Sequence, residues 1–101
     1  MKKISLFIKL LLDVINNAEK EKEIILGGKA SKWDLEQIND LIIPEITELL
    51  SHTNNGEIYF KYGKKQRLLE SSYLISDSVD ELSHTKLGES ILKLQSFYNA
   101  L

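Results

Sequence analysis

An all-α fold is predicted, an antiparallel four-helix bundle of two helical hairpins, with a short extended segment near residues 57–62. Three features of the sequence predict it. Apolar residues recur at steps of three and four through four separate stretches. Helix stops and N-cap residues separate those stretches, and only Ile58-Tyr59-Phe60-Lys61-Tyr62 has strand-forming composition, with no partner run to pair with.

The first helix carries Ile4, Ile8, Leu11, Leu12, Ile15 and Ala18 at helical spacing, and Leu6, Phe7, Leu10 and Val14 widen the stripe until most of the helix should be enclosed. Gly27-Gly28 ends it after the mixed-charge run Glu19 to Glu23. Ser31 with Asp34 three residues on has capping-box spacing, so the second helix is expected to start there. Leu35, Ile38, Ile42, Ile46 and Leu49 give it one face, in phase across Pro44. A proline inside a helix removes a hydrogen bond and crowds the preceding turn, so a kink, or two short helices meeting near Ile43, is expected.

Asn54-Asn55-Gly56 marks a turn. From Lys64 the helical pattern returns as Leu68, Leu69, Ser72, Tyr73, Ser76, Val79 and Leu82, the small serines permitting close helix approach. Thr85 has the character of an N-cap, and Leu87, Ile91, Leu94, Tyr98 and Leu101 follow at steps of three and four. Leu11, Ile42 and Leu94 are assigned to the core.

With 101 residues, 43% of them hydrophobic and 28% charged, the chain has the composition of one folded domain spanning residues 1–101. The absence of cysteine excludes disulfides, thiolate metal sites and a cysteine nucleophile, and a reducing cytoplasm fits best. Met1-Lys2-Lys3 and the apolar residues after it imitate a secretory signal, but Lys9 and Asp13 interrupt the run and no small-residue cleavage site follows. The net charge of −2 argues against general nucleic-acid affinity. That total conceals a division, because residues 31–56 set one lysine against five acids whereas residues 57–67 set four basic groups against one acid.

Candidate sites follow from these patterns. His52 and His84 sit in identical Leu-Ser-His-Thr tetrapeptides, each at the end of a predicted helix, where imidazole can interact with exposed carbonyls. The alternative joins them as metal ligands or general bases in a metal-dependent hydrolase. Asp77, Asp80 and Glu81 lack the spacing of a calcium loop and read as a solvated helix face. Gly27-Gly28-Lys29-Ala30-Ser31 lacks phosphate-loop spacing.

The second helix is the leading candidate for partner binding. Asp34, Glu36, Asp40, Glu45 and Glu48 decorate its polar side, and on a helical projection Trp33 and Leu41 fall outside the core-facing arc. An apolar anchor with an acidic rim suits a basic protein partner. A secondary partner surface interleaves Tyr59, Lys61, Tyr62, Lys64, Lys65 and Arg67. No set of residues supplies nucleophile, base and oxyanion stabiliser together, so no enzyme, cofactor or metal is expected.

A cysteine-free, acidic, single-domain helical chain is similar in general character to the immunity proteins that bacteria make against toxins. That resemblance implies a cytoplasmic, non-enzymatic inhibitor masking a basic partner such as a nuclease toxin. A structural or regulatory homodimer using Trp33, Leu41 and part of residues 58–62 is the alternative.

Overall fold

The computed structural model describes residues 2–53, 68–78 and 81–101, and among these it is all-helical. The predicted extended segment at 57–62 lies outside them. Helix α1 spans Lys2–Leu26. At ~1.5 Å rise per residue it accounts for most of the molecule's 41 Å long axis. Phe7, Leu11, Val14 and Ala18 are fully buried along it. The expectation that α1 is largely enclosed fails, because Leu6 and Leu12 are each 49% exposed. Only the arc facing α1's neighbours is covered, and side chains beyond that arc have nothing packed over them.

The end of α1 is built as the glycine pair predicts. Gly28 adopts φ 80°, and its N–H donates to the Ile25 carbonyl at 3.1 Å while Lys29 N–H donates to that of Ile24 at 3.0 Å. These two bonds satisfy carbonyls that the helix end would otherwise leave open, and only the left-handed residue lets the chain turn back to make them.

The second helix begins later than its capping-box spacing suggests. Ser31 Oγ accepts from Trp33 N–H at 3.1 Å, a local turn, and Gln37 Oε1 accepts from Asp34 N–H at 2.8 Å. Asp34 therefore stands where Ser31 was expected, and helical residues start at Leu35. Gln37–Ile42 then form a π-helical segment, and Ile43 N–H reaches back five residues to Ile38 O. This widened turn is the break expected near Ile43. It hands over to α2, Ile43–Thr53, where Pro44 occupies the first turn and needs no N–H partner. The apolar phase survives the change, since Ile38, Ile42, Ile46 and Leu49 are all buried.

Of the predicted run from Lys64 to Leu82, residues 64–67, 79 and 80 lie outside the described residues, and among the rest helix α3 covers Glu70–Ser76. Serines end it by competing for its backbone groups. Ser78 Oγ donates to Ile75 O at 2.7 Å and accepts from Leu82 N–H at 3.3 Å, closing a turn in place of another helical one. Tyr73, expected on the inner face, is 58% exposed, whereas Ser71 and Ser72 are buried and leave room for close approach. Helix α4 spans Lys86–Asn99 with Thr85 as its N-cap, as predicted, and buries Leu87, Ile91, Leu94 and Tyr98.

Helix α1 packs against α4 on one side and against α2 and the π-helical segment on the other, while α3 packs against α4 and the π-helical segment. Near the start of α1, the Phe7 ring stacks on Phe97 and Tyr98 from the end of α4, with centroids 6.0 and 6.2 Å apart. Leu11, Ile42 and Leu94 are completely buried in the resulting core.

Candidate protein-binding surface

The residues nominated for partner binding divide into two groups. Trp33 is only 2% exposed and its indole N–H donates to Thr85 Oγ1 at 3.0 Å. It is therefore a core residue and not an exposed anchor. The helical projection misplaced it because Trp33 precedes Leu35, so a rotation of about 100° per residue does not apply to it. Leu41 is partly buried and packs against the core.

Glu45 also points inward. Its Oε2 accepts from Glu70 N–H at 2.7 Å, and its Oε1 accepts from Ser71 N–H at 2.9 Å and from Ser71 Oγ at 2.6 Å. The N-cap position of α3 is Leu69, which has no side-chain oxygen. Glu45 supplies the missing acceptor from α2, and its negative charge faces the positive end of the α3 dipole. Gln95 of α4 completes the arrangement, with Oε1 accepting from Leu69 N–H at 2.8 Å. The sequence carried no signal of this role, because the helical pattern runs through Leu69 from Lys64 and nothing marks Leu69 as a helix start.

The second group lies at the surface. Asp34, Glu36, Asp40 and Glu48 are exposed. Glu36 and Asp40 lie four residues apart, close to one turn of the helix. Among the described residues, Asp34, Glu36 and Asp40 form no ion pair. The secondary surface at Tyr59, Tyr62, Lys64 and Arg67, with Lys61 and Lys65, lies outside the described residues.

Thr85 is a junction that the sequence showed only as a cap. Its hydroxyl accepts from Gly88 N–H at 2.9 Å and from the Trp33 indole at 3.0 Å, and it donates to Leu82 O at 2.7 Å. Those three bonds use its one proton and both lone pairs. The twin tetrapeptides thus take different roles. His52 is exposed in the last turn of α2, as expected, but exposed His84 lies in the turn before α4 and not at a helix C-terminus. Among the described residues no group of three or more His, Asp or Glu is placed to hold a metal ion. Of the acidic group, Asp77 and Glu81 are exposed and Asp80 lies outside the described residues.

Among the described residues no helix is long and apolar enough to cross a membrane. Compared with protein-family models, curated proteins and solved structures, the chain matches none.

Proposed function

We propose that this chain is a cytoplasmic, non-enzymatic protein-binding module, an antiparallel helical bundle whose acidic surface masks a basic partner in the manner of an immunity or antitoxin protein. The observation that supports it is the cluster of exposed carboxylates on Asp34, Glu36 and Asp40, without ion pairs among the described residues. Like charges about one turn apart on a helix repel and cost stability, by about 0.2–0.5 kcal/mol for a pair. A basic surface docking over them relieves that repulsion and is drawn in by the same field. With Trp33 buried and Glu45 engaged, recognition by this surface is mainly electrostatic, and complex formation is strongly salt-dependent.

The experiment is affinity capture with the wild-type chain and with the Glu36→Lys/Asp40→Lys double variant, followed by association kinetics with the captured protein. The wild-type chain retains a basic protein that elevated salt releases, and the variant associates with it about tenfold more slowly while keeping its fold. Capture of the same protein by both forms at equal rates refutes the assignment, as does the absence of any basic protein from the wild-type capture.

A further inference from the structure

Helix α1 carries two seams. The inner one, Phe7, Leu11, Val14 and Ala18, is buried in the core. On the opposite side Leu6, Lys9, Asp13, Asn16, Lys20, Glu23 and Gly27 follow one another at strictly alternating steps of three and four, and every one of them is exposed. Residues at these steps lie in one strip along the helix surface, the strip that a second helix laid alongside would meet. Leu12 and Ile24, 49% and 37% exposed, flank this outer seam.

We propose that the outer seam of α1 docks against the same seam of a second copy of this chain, antiparallel, about a two-fold axis beside Asn16. Charge order carries the argument. Along the seam the signs run Lys9 positive, Asp13 negative, Lys20 positive and Glu23 negative. Reversing one copy about Asn16 sets Lys9 opposite Glu23 of the second copy and Asp13 opposite its Lys20, so every charge meets the other sign, twice over by symmetry. A parallel pairing would instead set each charge against its own kind. Among the described residues none of these four side chains has an ion pair, so all four are free to make these. Asn16 meets itself at the axis, where two amides can exchange hydrogen bonds and fix the register.

Shape supports the same register. Lys20, Glu23, Ile24 and Gly27, with Lys29, line an open groove of about 420 Å³ on this face. The first four are related as i, i+3, i+4 and i+7, the four corners of the hole into which a facing helix inserts a side chain. Gly27 leaves its corner empty. The reversal that pairs the charges brings the half-exposed Leu6 of the second copy opposite Gly27, the empty corner of this groove, and by symmetry both ends of the seam are filled. Only Leu6, Leu12 and Ile24 contribute large apolar surface, so the dimer is weak and sensitive to both concentration and salt. It does not depend on the acidic surface of the second helix.

The test is sedimentation equilibrium over a wide concentration range at low salt. Wild-type protein dimerises, while Lys9→Glu and Glu23→Lys each weaken the dimer roughly tenfold or more by setting like charges together. An equimolar mixture of these two single variants forms a heterodimer, because the antiparallel pairing then matches opposite charges at both ends. The Lys9→Glu/Glu23→Lys double variant likewise regains the wild-type constant. Circular dichroism confirms the fold of each. Wild-type protein that stays monomeric, single variants that dimerise unchanged, or a mixture that stays monomeric each overturns the proposal.

Discussion

Gly88→Ala is a perturbation for which two physical effects give opposite signs. Gly88 occupies the first turn of α4, and by intrinsic helix propensity alanine there should stabilise the protein by about 1 kcal/mol. The tertiary structure reverses this. A Cβ at position 88 would sit 1.8 Å from the Leu82 carbonyl oxygen, 2.8 Å from its carbon and 3.0 Å from Thr85 Oγ1. The nearest atoms are backbone, which no rotamer change can move aside. Relief requires the turn from Leu82 to Thr85 to shift away from α4, and that turn holds the Thr85 junction. Overpacking costs about 1–3 kcal/mol, and loss of the Thr85 cap adds about 1 kcal/mol. The Trp33 indole N–H, buried without an acceptor, adds roughly 1–3 kcal/mol. Against the propensity gain, the net loss is about 2–6 kcal/mol. For a domain of this size that lowers the melting midpoint by at least roughly 8 °C. Thermal unfolding followed by circular dichroism measures it, and the fluorescence of Trp33, the only tryptophan, shifts to the red if the junction opens. A variant with an equal or higher midpoint would refute the reasoning, because it would mean that the turn yields at no cost.

Glu45→Ala removes the three bonds at the start of α3 and should cost about 2 kcal/mol, with faster amide exchange at Glu70 and Ser71, while Glu45→Gln, which keeps an acceptor without the charge, should cost about half as much. The neighbouring serines of α3 should respond with opposite signs. Ser71→Ala loses the 2.6 Å bond to Glu45 and should cost about 1 kcal/mol, whereas Ser72, 1% exposed with an unpartnered hydroxyl, should gain up to about 1 kcal/mol on replacement by alanine. Chemical denaturation of both serine variants checks the pair, and equal effects would mean that the two hydroxyls occupy equivalent environments.

Local chemistry marked the features whose cause is local. Gly27-Gly28 stops α1 because a left-handed residue is required at that turn, and glycine adopts it without penalty. Thr85 starts α4 because its hydroxyl reaches an N–H three residues away. Ile38, Ile42, Ile46 and Leu49 stay in phase across Pro44, since a side chain's direction on a helix follows from its spacing. Only the form of the break there, a π-helical turn, was hidden. Of the candidate surface, the sequence identified the acids but not which of them remain in solvent.

The two Leu-Ser-His-Thr segments show where local information ends. Thr53 finishes α2 fully buried, its Oγ1 donating to Leu49 O at 2.6 Å, whereas Thr85 opens α4 and receives an indole from 52 residues away. The two segments are identical, so the difference must come from what surrounds each of them. Trp33 was placed on a polar face and Glu45 in an acidic rim by counting rotation along one helix. Both are held instead by groups on other elements, Trp33 by Thr85 and Glu45 by the α3 N-terminus. Composition and spacing determined that the described residues would be helical and where their main apolar stripes would run, because those depend on near neighbours. Which polar groups turn inward was decided by the tertiary structure alone, because a buried donor needs an acceptor wherever in the chain one can be brought to it.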